Sequence, residues 1–359
     1  MLLAHTQSKT SFFIFFVLIF LQSVSFADTS NYDRWMGDLG STMGDRLLNE
    51  IALPGSHDMG MNVQNIHDCT LANLCNTATQ NGNIFYQLNK GSRYFDVRPA
   101  VVEPSVFSGT VWSTAHTSVV AGHQLGCEGE RITSLRDGLY RFFQDSNHQK
   151  ELVILKVSHC SMEPGKDDSS CTETQMKYIA AGLDIDHRLI KCDHCDLKNM
   201  TLNTLLSKGN ILLLTEGLHD TKRGFFSVGG SCRDDYLLYD SYANSNDFNT
   251  MRADQFSKLK TAKNHQKACE ETYPVHFLLS WTLTLSKAEI VACEVLQNPK
   301  IINLAQDATS QLQGDIKAWV ESGDITKQFF PNILYTDAVE GEATEAAIYL
   351  NTHYNGLNN

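Results

Sequence analysis

His57 and Asp58 close the run LPGSHDMG at residues 53–60, and Asp96 and Arg98 close GSRYFDVRP at 91–99. Each run is apolar and strand-like up to those polar residues, so an imidazole, two carboxylates and a guanidinium are delivered at strand ends. The set suits acid–base work on an anionic, phosphorylated substrate: the imidazole moves a proton while the guanidinium holds the anion. A third run, VWSTAHTS at 111–118, carries His116. One histidine to take a proton and another to give it back is the minimum equipment for cleaving a phosphodiester without a metal. His123, in AGHQLGCEG, competes for the second role. His116 is preferred because it ends a strand-like run, whereas His123 sits among loop glycines.

Strand-like runs recur at wide intervals to position these groups: 50–56, 92–98, 111–117, 151–158, 210–216, 275–283 and 332–338, with a weaker one, KIINLA, at 300–305. Several are nearly continuous in apolar residues, as strands buried on both faces are. Helical spacing appears between them at 132–146, 176–183, 202–209 and 308–323, with Gly209 and Gly323 placed as C-caps. Strands separated by helical crossovers predict an α/β chain folded as a single, somewhat irregular TIM-type (β/α) barrel. An open doubly wound sheet is the alternative, but LPGSHDMG lacks the G-x-G-x-x-G spacing of a dinucleotide loop. In a barrel the chemistry lies at the C-terminal strand ends. His57, Asp58, Asp96, Arg98, His116, Ser158, His159, Glu216, Trp281 and Asp337 all fall there.

Lys9, the apolar run SFFIFFVLIFLQ and the small residues around Ser25-Phe26-Ala27 predict a cleaved signal peptide over 1–27 and a secreted protein. That leaves 28–359, about 330 residues, as one barrel domain. All 10 cysteines follow the leader, so disulfides are expected, with Cys69/Cys75 and Cys160/Cys171 the first pairs to try. KCDHCD at 191–196 lacks the second pair that a zinc knuckle requires, and Asn199-Met200-Thr201 is a glycosylation sequon. The net charge of −12 and the lack of a basic run argue against nucleic acid and against capture by anionic membranes. A lipid substrate would have to be met through local apolar or aromatic loops.

Taken together, LPGSHDMG, YFDVRP, a strand ending in histidine and ELVILKVSH resemble the X-domain of phosphatidylinositol-specific phospholipases C. The bacterial and secreted fungal-type phospholipase C-like phosphodiesterases are the nearest in pattern. The likeness is most specific over 50–160, with LSWTLT (279–284) and PNILYTDAV (331–339) extending it. It implies that His57 is the general base on the inositol 2-hydroxyl and His116 the acid for the diacylglycerol oxygen. Arg98 would bind the phosphoryl oxygens, Asp58 and Asp96 would orient these groups, and Asp337 would hold the base.

Ser158 or His159 occupies the region where bacterial relatives carry a substrate-facing lysine, and Trp281 is a candidate wall of the sugar pocket. Tyr239 and Tyr242 are candidate stacking residues, although exposed loop tyrosines explain them as well. Calcium-dependent relatives carry a Glu-x-Asp pair in the second motif; here it reads Phe95-Asp96-Val97-Arg98, a guanidinium in the ion's place. No cofactor and no required Ca²⁺ are therefore expected. The resulting expectation is a secreted, monomeric phosphoric diester hydrolase. It would act on a phosphoinositide or glycosyl-phosphatidylinositol-like phospholipid during transient contact with a membrane surface. The alternatives are a catalytically dead barrel that binds lipid or glycan, and a phosphodiesterase acting on a non-inositol substrate. His57→Ala separates enzyme from binding module.

Overall fold

A computed structural model describes residues 31–70, 72–105, 109–120, 123–160, 171–266, 275–298 and 300–359. The expected signal peptide and Cys269 lie outside them. The strands are β1 (Leu53–Ser56), β2 (His67–Thr70), β3 (Tyr94–Val97), β4 (Pro99–Ser105), β5 (Gly109–Val120), β6 (His123–Arg131), β7 (Val153–Val157), β8 (Ile211–Thr215), β9 (Phe225–Gly229), β10 (Tyr236–Asp240), β11 (His276–Trp281) and β12 (Pro331–Thr336). β1, β12, β11, β10, β9, β8, β7 and β3 close a parallel barrel in that order. The expected barrel is therefore present.

Strand alternation sorts the side chains. Tyr94, Ile154, Leu212, Leu214, Tyr236, Leu238, Leu278, Ile333 and Tyr335 belong to the cluster that fills the barrel, which the segment Trp35–Ile51 continues. Their neighbours Phe95, Val97, Val153, Leu155 and Leu213 pack outward on helices Ile84–Asn89, Ile132–Gln144 and Glu173–Leu183. Phe277, Leu279, Trp281 and Leu334 do the same against helices Phe248–Gln266, Ile301–Glu321 and Glu342–His353.

Three sequence expectations are corrected. The run 111–117 is not a barrel strand. It lies within β5, in a four-stranded antiparallel sheet ordered β2-β6-β5-β4, whose strands β4 to β6 fall between β3 and β7 in the chain but outside the closed barrel. KIINLA opens helix Ile301–Glu321, whose buried positions Ile301, Ile302, Ala305, Ala308, Leu312, Ile316 and Trp319 follow the helical period. β9 and β10, which lacked long apolar runs, supply the remaining barrel strands. Gly323, at φ +74°, follows that same long helix as expected, while the helix before Gly209 already ends at Leu206.

Disulfides join Cys69–Cys127, Cys75–Cys293, Cys160–Cys171 and Cys192–Cys195, and Cys232 is also disulfide-bonded. The expected Cys69/Cys75 pair is thus replaced by two longer links. Antiparallel pairing of β2 with β6 brings Cys69 to Cys127, and helix Leu74–Thr77 packs near helix Lys287–Leu296. KCDHCD forms a disulfide loop. Among the described residues, no helix is long and apolar enough to cross a membrane.

Candidate active site

β1 ends at Ser56, and its alternation turns His57 into the barrel mouth. Asp58 follows with φ +41°, a left-handed conformation that aspartate tolerates. That turn breaks the alternation and lets two consecutive side chains face the same site. Inward parity on β3 and beyond aligns Tyr94, Asp96 and Arg98. On β12 it aligns Ile333, Tyr335 and Asp337.

These residues converge. His57 Nδ1 lies 2.7 Å from Asp337 Oδ1, and its Nε2 lies 3.4 Å from Asp58 Oδ2. His116 Nδ1 makes a short contact with Asp58 Oδ2. Arg98 Nε sits 2.7 Å from Asp58 Oδ1 and 2.8 Å from Asp96 Oδ2. Asp96 also accepts hydrogen bonds from Tyr335 Oη at 2.7 Å and Ser158 Oγ at 3.1 Å. The edge of the His57 ring meets the Tyr335 ring with centroids 5.2 Å apart. All three aspartates are buried, whereas the two histidines keep partial access to solvent.

Burial disfavours charge on Asp58, but Arg98, His57 and His116 overcome it and hold the carboxyl far below its ordinary range. Asp96 faces the same burial cost, yet Arg98 draws it down to about 2. Burial alone would lower His57; the carboxylates of Asp58 and Asp337 more than reverse that and raise it to about 9. Burial pushes Asp337 up, partly offset by His57.

β5 carries His116 from the antiparallel sheet, not from a barrel strand end. His123 pairs with Val120 at the far end of that hairpin, four residues along from His116. At a rise of ~3.3 Å per residue this is roughly 13 Å away. His116 therefore joins the cluster. Ser158 joins it through Asp96, and His159 follows with φ +51°. Trp281 does not join it. It shares outward parity with Phe277 and Leu279, is fully buried against Phe248 and Trp319, and donates to the Ala308 carbonyl at 2.9 Å. Tyr242 is exposed.

Lys156 was missed from the sequence. It is buried on β7, two residues before Ser158 and on the same inward row, with Nζ 2.9 Å from Asp240 Oδ2 and 3.5 Å from Glu216 Oε1. Burial works against its charge, but Asp240, Asp96 and Glu216 raise it above the usual lysine value. Lys156 thus stands on the same strand row as Ser158, in the region for which the sequence pattern offered Ser158 or His159. Parity with Ser158 was the signal that could have found it.

Ligand-type atoms of His57, Asp58 and Asp96 lie within 4.8 Å of one another, a spacing that could hold a cation. The Arg98 guanidinium, however, already contacts both carboxylates.

Solved structures share this architecture. The phosphatidylinositol-specific phospholipase C of Listeria monocytogenes superposes with a TM-score of 0.54 at 16% identity, over 89% of this chain and 98% of that one. A phosphatidylinositol-specific phospholipase C from S. aureus, solved in work on modulating its membrane binding, gives 0.55 at 15% identity over 89% and 98%. The chain has the fold of the bacterial phosphatidylinositol-specific phospholipases C. No protein-family model matches it, and no curated protein matches it by sequence.

Proposed function

We propose that this chain is a secreted phosphodiesterase of the phospholipase C type. Its substrate would be a phosphoinositide or glycosyl-phosphatidylinositol-like lipid, reached as a monomer in transient contact with a membrane surface. The observation that carries the reading is the pairing of two imidazoles, each held by a carboxylate through Nδ1, around the Asp58 carboxylate that also holds Arg98.

Each histidine held in this way directs Nε2 to proton transfer, at His57 beside the Asp58 carboxylate that lies 3.4 Å from that nitrogen. His57 takes the proton of the substrate hydroxyl as its oxygen bonds to phosphorus. The bond from phosphorus to the diacylglycerol oxygen breaks, and His116 protonates that leaving oxygen. The products are a cyclic phosphate and a diacylglycerol. An in-line displacement needs base and acid on opposite sides of phosphorus, and His57 and His116 come from two different elements, the end of a barrel strand and a separate sheet. Arg98, fixed through Nε, offers its guanidinium fork to the phosphoryl oxygens where charge accumulates. Lys156, Glu216 and Asp240 supply polar partners for the head group beside Asp96.

Asp337 and Asp58 favour the imidazolium of His57, so the base form becomes populated as pH rises toward 9. A divalent ion placed among His57, Asp58 and Asp96 would meet the Arg98 charge, so the reading includes no required Ca²⁺. Phosphorus NMR of the purified protein with phosphatidylinositol, with and without EDTA, tests it. A cyclic inositol phosphate signal that survives EDTA is the expected result. Absence of turnover would refute the substrate, and activity lost to EDTA and restored by Ca²⁺ would refute metal independence.

A further inference from the structure

Asp58, Asp96, Glu130, Glu151 and Asp337 are the buried acids among the described residues. All but Glu130 meet a basic side chain: Arg98 serves Asp58 and Asp96, Arg93 serves Glu151, and His57 serves Asp337. Glu130 is 2% exposed, and no cation among the described residues lies within ion-pair distance of it. Its Oε2 accepts from the Ile84 amide at 3.3 Å and from Asn62 Nδ2 at 3.5 Å. A buried carboxylate without a countercharge is costly, and the proposed chemistry makes no use of this one.

Glu130 lies on β6, where the antiparallel arm returns to the barrel. Its N–H donates to the Gly60 carbonyl at 2.8 Å, and its carbonyl accepts from Thr114 Oγ1 at 3.1 Å. The carboxyl therefore sits where three elements meet: the arm, the loop 59–65 after Asp58, and the start of helix Ile84–Asn89. Two connections run from this point to the histidines. Asn62 bridges to Gln80, whose Nε2 donates to the His57 carbonyl at 2.8 Å. Thr114 stands on β5, two residues before His116.

The ionisable groups on the surrounding elements are engaged elsewhere. Loop 59–65 has none. Tyr86 and Lys90, on and just after helix Ile84–Asn89, are held by Glu340, and His116 on β5 is held by Asp58. On β6, Glu128 faces His67, Arg131 is exposed and His123 is at the far end. On helix Ile132–Gln144, Arg136 pairs with Asp137, Tyr140 is exposed and Arg141 stacks on Phe85. Burial accordingly pushes the Glu130 carboxyl up from an ordinary 4.5 to about 7, and only the Ile84 amide opposes it.

We propose that Glu130 is a positioning residue: its neutral carboxyl seats the arm that carries His116 on the loop behind His57, and its ionisation loosens that seat. This rests on the reading of His116 as the proton donor and adds what controls its placement. The released carboxyl titrates near 4.5 and the seated one near 7. Seating is therefore strongest below pH 4.5, weakens as pH rises to 7, and changes no further above it. The gap allows a change of up to roughly 300-fold in the seating equilibrium.

The test is hydrogen exchange of the full chain without substrate, at pH 5 and pH 8, corrected for intrinsic rates. Wild type is compared with Glu130→Gln, which keeps the shape and cannot ionise. In wild type, protection of the amides at positions 115 and 130 should fall roughly 10- to 300-fold from the lower pH to the higher. In the variant it should hold within about 3-fold, and β7 and β8 should hold in both proteins. An arm insensitive to pH in wild type, an equal fall in the variant, or a parallel fall in β7 and β8 would overturn the proposal. Carbon-detected NMR titration of wild-type Glu130 gives a reading that needs no variant: a midpoint near 7 is expected, and one near 4.5 would overturn it. With phosphatidylinositol, the kcat ratio of variant to wild type should rise several-fold over the same interval at constant KM ratio. A flat kcat ratio would remove Glu130 from the placement of His116. Exchange is read without substrate, so a chain that hydrolyses nothing leaves the seating result standing, and an unchanged exchange profile leaves the phosphodiesterase reading standing.

Discussion

Replacing Asp337 by asparagine perturbs His57, the proposed base, through one atom. Asp337 Oδ1 lies 2.7 Å from His57 Nδ1, and with Asp58 it lifts the imidazole from its ordinary 6.5 to about 9. That rise corresponds to ~3 kcal/mol of preference for the imidazolium. Two charges with centres ~4 Å apart at an effective dielectric of ~20 interact by about 4 kcal/mol. The asparagine oxygen keeps a neutral hydrogen bond and returns about 1 kcal/mol. A net loss near 3 kcal/mol moves the midpoint down by about two pH units, to roughly 7. At pH 7 the neutral imidazole should grow from about 1% of the population to about half. Nitrogen-detected NMR titration of His57 reads this directly, and the low-pH limb of kcat/KM should move with it. The same linkage acts on stability. Because the folded value lies above the unfolded one, the His57 contribution is complete below pH 6.5 and disappears as pH rises through about 9. A His57 midpoint unchanged in Asp337→Asn, or wild-type kcat/KM falling between pH 6 and 8, would refute the assignment of His57 as a carboxylate-held base.

Arg98→Lys keeps the charge but loses the planar fork, so kcat should fall roughly 10²- to 10³-fold with little change in urea stability. Arg98→Met leaves Asp58 and Asp96 facing each other without the guanidinium that contacts both, and urea unfolding should show a loss of about 3–5 kcal/mol. Tyr335→Phe removes one donor to Asp96; a cost of about 1–2 kcal/mol and an upward-moving Asp96 carboxyl are expected, read by carbon NMR. Lys156→Met should raise KM for an inositol lipid about 10-fold with a smaller effect on kcat, and an unaltered KM would remove Lys156 from the head-group region.

The parts of the site that obey strand alternation near a motif were the legible ones. Asp96 on β3 and Arg98 just beyond its end are two residues apart, and both point inward. Asp337 lies two residues past Tyr335, just beyond the end of β12, and meets His57 Nδ1. Parity also explains the misses. Trp281 terminates a strand, but it keeps company with Phe277 and Leu279, and that row faces the helices. Lys156 keeps company with Ser158, and that row faces the site. Other features depend on non-local pairing, which a linear pattern does not encode. β9 and β10 are short and flanked by polar residues, and become barrel strands only because β8 and β11 leave that gap in the parallel sheet. Cys69 found Cys127 through the antiparallel pairing of β2 with β6, a register set far from either motif.

The antiparallel sheet gives the opening motif a second task. His116 is carried on an arm outside the barrel, so its position relative to His57 depends on how that arm docks. Ala115 N donates to the Arg98 carbonyl at 2.9 Å, which ties the arm to the second motif. Glu130 N donates to the Gly60 carbonyl at 2.8 Å, which ties it to the first. A Cβ on Gly60 would run into the Thr114 side chain, and one on Gly129 would run into the Gly60 carbonyl. Two glycines therefore permit the close approach that brings β5 and β6 onto the barrel rim. Asp58 completes the junction, since its carboxylate meets Arg98 and both histidines at once. LPGSHDMG thus supplies the imidazole of His57, the shared carboxylate in Asp58 and, in Gly60, the docking point for the arm that carries His116. A motif that merely ended a strand would need only the first of these.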